Sequence, residues 1–354
     1  LTVVDTADRR RFWPASVHLI GKDILWFHSV IWPALLIALK NSGPDYAWVG
    51  LPRMVFGHGW WVSEGQKMSK SLGNFIDLER LKAYASWITT EERKDSEKKT
   101  RAPRPLGVDA LRWYLTTQGP LTGNDADFSH AKFAEVYNSE LANGFGNCVS
   151  RVSSMVGKYF EGALPATSHV GAFVAQNEEA KGKGTPASPL DLALAARAAA
   201  NKPADDAVRL RMFDFAKQCD KLVAGALQSL EQFDVGVSVF SGIHLVRYVD
   251  DFISHTAPFT LAKKADADPA TKEALAAILY ACAEALRVAS LLLYPVMPAK
   301  IGEFWARWTC TPPVGVPLAE LAKFAGPHAL RPGAKLELGD PLFMRIDPAE
   351  ALPV

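Results

Sequence analysis

The sequence predicts an α/β segment followed by an all-α half, on three observations. Residues 15–62 alternate short β-rich pieces with one helix, and the chain beyond about residue 107 repeats apolar side chains at helical spacing. Between them, SWITTEERKDSEKKTRAPRPL (86–106) is charged, proline-bearing and has little to bury, which reads as a surface insertion. With 354 residues, 49% of them hydrophobic, two or three domains can each hold a core.

Each element has a local reason. SVHLI reads as a buried strand, GKD as a turn, ILWFHSVIWPALLIALK as a helix with Asp23 near its start, and MVFGHGWWV as a returning strand. Strand, helix, strand in that order is a parallel crossover unit. Ligands of such sheets bind beyond the carboxyl ends of the strands, so GKD and the loop at 65–74 are expected on one rim. Further on, VDALRWYLTT and SHAKFAEVYNSELANGFGNCVSRVSSMVGKYF are helical by apolar spacing, and Gly144 and Gly146 permit a kink or a close approach. After a linker, GAFVAQNEEAKGKGTPASP, helices are expected at about 204–233, 235–256, 269–294 and 298–308, forming a bundle. The tail from Thr311 is rich in proline and glycine, with LELGDPLFMRID as a docking strand or arm.

Lysine plus arginine number 39 and aspartate plus glutamate 38, so nucleic-acid contact must come from local patches, and a DNA-coating role is disfavoured. The four cysteines form no C-x-x-C, so neither a zinc knuckle nor a disulfide framework is signalled, and a reducing cytoplasm fits. The longest apolar run, Val30 to Leu39, falls short of the ~20 residues of a membrane span. No membrane partner is expected. The opening TVVDTADRRRFWP resembles neither a signal peptide nor a helix-capping start, and an upstream part is expected.

GQKMSKSLGN (65–74) places Lys67 and Lys70 three residues apart between glycines. On a hinged segment they can swing onto a triphosphate, with Ser69, Ser71 and free backbone N–H groups adding donors. Mobile cations suit a reaction that expels pyrophosphate, because negative charge builds there in the transition state. Spacing excludes a P-loop, since Gln66 stands where that motif needs lysine. The lysines alone also describe a solvated turn.

KMSKS followed by LGN resembles the second signature of class I aminoacyl-tRNA synthetases, and its surroundings resemble the methionyl-tRNA synthetase family. The likeness runs through FWPASVHLIGKDILWFHSVIWPALL, DALRWYL (109–115), DADFS (125–129), ELANGFGNCVSR (140–151) and PLFMRID (341–347). It implies the second half of a Rossmann-like nucleotide-binding domain with the KMSKS loop (1–84), a connecting stem-contact region with the charged insertion (85–130), an α-helical anticodon-binding domain (131–310) and a C-terminal arm (311–354). It implies two steps: methionine and ATP give methionyl-adenylate and pyrophosphate, then the methionyl group passes to tRNA(Met). ATP with accompanying Mg2+ would be the nucleotide, with no structural zinc in this segment.

By the same resemblance, Lys67 and Lys70 are catalytic, Lys70 countering the pyrophosphate charge. The ATP site would comprise Lys67, Met68, Ser69, Lys70 and Ser71 with His58, Gly59, Lys22 and Asp23. Phe27 and His28 match positions lining the methionine pocket, and the chemistry agrees: imidazole can donate to a thioether and aromatic edges suit sulfur. Asn147 and Arg151, four apart on one helix face, match anticodon readers. Phe259 stands where the family usually has tryptophan and can still stack on a base. Asp250 stands where asparagine is usual. The family's first signature, an H-I-G-H turn, is absent, as is its zinc-bearing insertion, so the chain is expected to be an incomplete copy, inactive by itself. Two alternatives stay open: a class I synthetase for leucine, isoleucine, valine or cysteine, and a non-catalytic tRNA-binding remnant.

Overall fold

A computed structural model of the chain describes residue 6 and residues 10–87, 105–121, 123–166 and 215–347. The expected linker, most of the 86–106 insertion and the start of the helix expected from 204 lie outside the described residues. The chain divides into two compact units: Leu1–Ile76 with Gln118–Ser129, and Asp77–Thr117 with His130–Val354.

In the first unit, β1 (His18–Gly21) pairs in parallel with β2 (Val55–His58), joined through helix α1 (Phe27–Lys40), as strand–helix–strand order requires. The register sets Gly21 opposite His58, so Lys22 and Asp23 start from the same sheet end as His58 and Gly59. α1 opens on a widened turn: the Trp32 N–H donates to the Phe27 carbonyl five residues back. The expected strand MVFGHGWWV is broken. It leaves β2 at His58 and resumes as β3 (Trp61–Ser63), which pairs antiparallel with β4 (Gln66–Lys67) and parallel with β5 (Ala126–Phe128). The cause is long-range: the Gly59 N–H donates to the Pro120 carbonyl (2.8 Å), and a Cβ on Gly59 would stand 2.1 Å from the Asn124 carbonyl oxygen. Only glycine fits so close to another backbone.

The second unit is helical. α2 (Leu78–Ser86) starts at Asp77, whose carboxylate accepts from the Arg80 N–H. α3 (Val108–Gln118) is tied through the Asp109 carboxylate, which accepts from the Lys300 N–H (2.6 Å), and through Arg112, which donates to the Pro295 and Val296 carbonyls. α4 (His130–Val136) runs into a widened helical stretch, Tyr137–Gly146, broken at Gly144 (φ −83°, ψ −106°), and continues as α5 (Asn147–Phe160). Gly144 thus makes the kink, whereas Gly146 stays helical and allows Phe343 to pack close. There follow α6 (Phe215–Glu231), α7 (Val235–Thr256), the short α8 (Pro258–Leu261), α9 (Pro269–Leu293), α10 (Pro298–Arg307) and the short α11 (Leu318–Leu321).

α9 is the axis of the core. Its span Thr271–Leu293 is long and apolar enough to cross a bilayer, yet residues 274–293 of it are all buried within the bundle. An all-round apolar helix is stable in water only when surrounded. One ion pair is buried on it: Glu284 accepts from Arg287 at 2.7 and 2.9 Å. The segment after α10 satisfies the remaining valences. Leu330 and Ala325 N–H groups donate to Glu284, and Arg287 donates to the Leu321 and Lys323 carbonyls. LELGDPLFMRID packs as an arm rather than a strand, burying Leu342, Phe343, Met344 and Ile346. The Asn138 carboxamide bonds both the N–H and the carbonyl of Ile346.

Candidate functional site

The 65–74 loop is built by a hairpin. β3 and β4 are joined by a two-residue turn, Glu64 (φ +49°) and Gly65 (φ +75°), the left-handed pair that tight hairpins favour. The Gly65 N–H is fixed by the Asp127 carboxylate (2.9 Å). Beyond β4 the chain folds back on itself through Asn74, whose Oδ1 accepts from the Ser69 N–H (2.8 Å) and whose Nδ2 donates to the Lys67 carbonyl (3.2 Å). The Ser69 and Ser71 hydroxyls share a hydrogen bond (2.7 Å). Lys67 and Lys70 are exposed, and neither has an ion-pair partner among the described residues. Met68 is half-buried inside the fold-back. Asn74 and Asp127 were not among the expected site residues, although the N of LGN and the second D of DADFS lie inside the resembling segments.

At the sheet end, His58 Nδ1–H donates to the Gly59 carbonyl (2.8 Å). Lys22 is engaged: its ammonium lies 2.7 Å from the Asp125 carboxylate, which also accepts from the Trp60 N–H. The hydrogen bond from Lys22, then that from Trp60, hold the Asp125 carboxyl below its usual range. Asp23 is exposed beside Gly21. The 2.7 Å pair joins residues far apart in sequence, so no local signal predicts it.

Phe27 and His28 lie on one wall of a groove of about 470 Å³, with His18, Ile31, Trp32 and Leu35. His28 Nδ1–H donates to the Ile24 carbonyl (3.0 Å), and its ring stands edge-on to His18 with centroids 5.8 Å apart. Phe27 is 56% exposed and Trp26, just before α1, is 64% exposed, so the start of α1 carries an open aromatic surface. His18 Nδ1 and Trp32 Nε1 are buried with no hydrogen-bond partner among the described residues. Sequence reasoning passed over His18, a single histidine in a short strand.

In the helical unit, Asn147 is exposed and Arg151 half-buried one turn later on α5. Arg151 is ion-paired: its Nη1 donates to Asp250 Oδ1 on α7. α7 ends on Ala257 in the left-handed region (φ +46°), and Phe259 follows on α8 with half its surface open. Beneath the kink, burial pushes the Glu140 carboxyl up, against the hydrogen bond from the Trp113 indole (2.8 Å) and the charge of Arg247. The buried Cys148 and Cys282 thiols are pushed up by desolvation and stay neutral.

Residues 3–153 match the family model for tRNA synthetases class I (M). The chain is 32% identical to the methionine–tRNA ligase of Streptomyces coelicolor over 95% of its own length and 50% of that protein's. It is 32% identical to the methionine–tRNA ligase of Caldanaerobacter subterraneus over 96% of its length and 41% of that protein's. A Mycobacterium tuberculosis methionyl-tRNA synthetase, solved in complex with methionyl-adenylate, superposes with a TM-score of 0.65 at 26% identity, covering 97% of this chain and 52% of that one. The chain therefore spans about half the length of the curated relatives it matches. Residues 3–153 thus match a class I tRNA synthetase domain, and nearly all of the chain is similar to part of the length of methionine–tRNA ligases.

Proposed function

We propose that the chain acts in methionine–tRNA ligation: ATP-dependent conversion of methionine to methionyl-adenylate and transfer of the methionyl group to tRNA(Met), in the cytoplasm. The observation that carries this reading is the first unit's arrangement. An apolar, aromatic groove with His28 at its wall is followed by the sheet end that holds Lys22, Asp23, His58 and Gly59, and the same unit presents two ammonium groups on a stapled loop, both without an ion-pair partner among the described residues. The similarity to methionine–tRNA ligases supports the choice of amino acid.

In this reading a methionine carboxylate oxygen attacks the α-phosphorus of magnesium-bound ATP, the bond to the bridging oxygen breaks, and pyrophosphate leaves with the electron pair. Lys67 and Lys70 stabilise the charge that gathers on it, and preorganised cations at a developing charge lower the barrier most. Ser69, Ser71 and Met68 shape the loop around the phosphates. The groove takes the thioether, with Phe27 offering its ring and His28 its edge. Asn147, Arg151 and Phe259 contact unstacked anticodon bases by hydrogen bonding and stacking.

The test is amino-acid-dependent ATP–pyrophosphate exchange in a completed chain, joined to the portion of its relatives that it does not span, run with methionine and with leucine, isoleucine, valine and cysteine. Methionine alone should support exchange. Exchange driven by another of the five overturns the amino-acid assignment. Tight tRNA(Met) binding with no exchange under any amino acid favours a non-catalytic RNA-binding role instead.

A further inference from the structure

The Arg151–Asp250 pair lies at the surface, with side chains 34% and 48% exposed. It uses one guanidinium nitrogen, Nη1, and one carboxylate oxygen. Nε and Nη2 of Arg151 and the second oxygen of Asp250 have no partner among the described residues. Beneath them the thiols of Cys148 and Cys282 are neutral and feel both members of the pair with opposite sign. Arg151 thus keeps its donors while its charge is balanced by a neighbour on another helix.

Resting on the reading of α5 as an RNA-contacting face, we propose that Asp250 is a specificity-determining positioning residue: it converts Arg151 from a phosphate-seeking cation into a reader of base edges. A lone surface arginine binds any phosphate, releasing counterions and adding affinity without sequence information. A carboxylate fixed beside it repels phosphate and cancels that gain. The free guanidinium edge still donates to neutral acceptors on an unstacked base, a bond that depends on geometry rather than charge. Asn147, uncharged and one turn away, adds donors and acceptors of the same kind. An exposed pair contributes little to stability, so its removal leaves the bundle folded.

The experiment compares binding of the full chain to a tRNA(Met) transcript and to one with an altered anticodon loop, each across a salt series. Asp250→Asn should raise affinity for the altered transcript roughly 5–10-fold at low salt, leave tRNA(Met) nearly unchanged, and steepen the slope of log K against log salt by about 0.7, one added single-strand phosphate contact. Asp250→Glu, which keeps the charge, should retain selectivity. Arg151→Ala should weaken tRNA(Met) binding and abolish the effect of Asp250→Asn in the double variant. An unchanged slope and ratio in Asp250→Asn, or equal loss for both transcripts, overturns the role of Asp250 while the reading of α5 stands. Intact tRNA(Met) binding by Arg151→Ala overturns that reading itself.

Discussion

The two units are stabilised by different means. In the helical unit, Leu279, Leu286 and Leu293 of α9 are fully buried, and the charged pair on that helix has its valences met by main chain. In the α/β unit, large side chains of α1 stand open, and the loop and sheet end are fixed instead by single hydrogen bonds: Asp127 to Gly65, Asn74 to Ser69 and Lys67, Asp125 to Trp60 and Lys22. Burial secures a scaffold, whereas the loop and sheet end are held by contacts that can be exchanged. Local openings of low free energy concentrate where buried apolar contacts are few.

This contrast can be broken from both sides. Leu286→Ala removes a fully buried side chain from the axis of the bundle and should cost about 2–5 kcal/mol, read as a lower midpoint in urea or heat. A loss under 1 kcal/mol would mean that the core repacks freely. Lys70→Ala should leave the midpoint unmoved while raising the barrier to adenylate formation by roughly 2–4 kcal/mol, measured in the completed chain by single-turnover adenylate formation with methionine binding as the control. Equal damage to methionine binding would place Lys70 in the amino-acid site instead. Gly59→Ala drives a Cβ against the Asn124 carbonyl and should destabilise the α/β unit by about 1–3 kcal/mol, visible as faster hydrogen exchange in β2 and β3. Unchanged protection there would show that the backbone yields.

The smallest effect concerns acid. Because Lys22 and the Trp60 N–H hold the Asp125 carboxyl low, the tie at the sheet end is fully present above the ordinary carboxyl value of 3.8 and is lost as pH falls through the lower folded-state value. An NMR titration of the Asp125 carboxyl should therefore have its midpoint below 3.8, and Lys22→Ala should move it upward. A midpoint at 3.8 in the unmodified chain would mean that the pair is not formed in solution.

Much of this was legible. Helical spacing located α7, α9 and α10 within a residue or so of their ends, and the β1–α1–β2 crossover with its shared strand ends followed from strand–helix–strand order. The glycines and lysines of GQKMSKSLGN marked the loop. What escaped was non-local. MVFGHGWWV reads as one strand because its residues favour β structure, and only the contacts of Gly59 with Pro120 and Asn124 divide it. The carboxylates that engage Lys22 and Arg151 arrive from segments remote in sequence, so the cations look free in one dimension. His18 carries no neighbourhood signal and emerges only when α1 packs beside β1.

The carboxylate of Glu284 and the guanidinium of Arg287 are insulated from water by the chain that crosses over them after α10. Anyone trimming this polypeptide near residue 315 would therefore strip the dielectric shield from two opposite charges at the centre of the bundle, leaving donors and acceptors with nothing but solvent to answer them. The tail behaves as the closing turn of the core, and shortened versions are safest when they stop beyond Ile346.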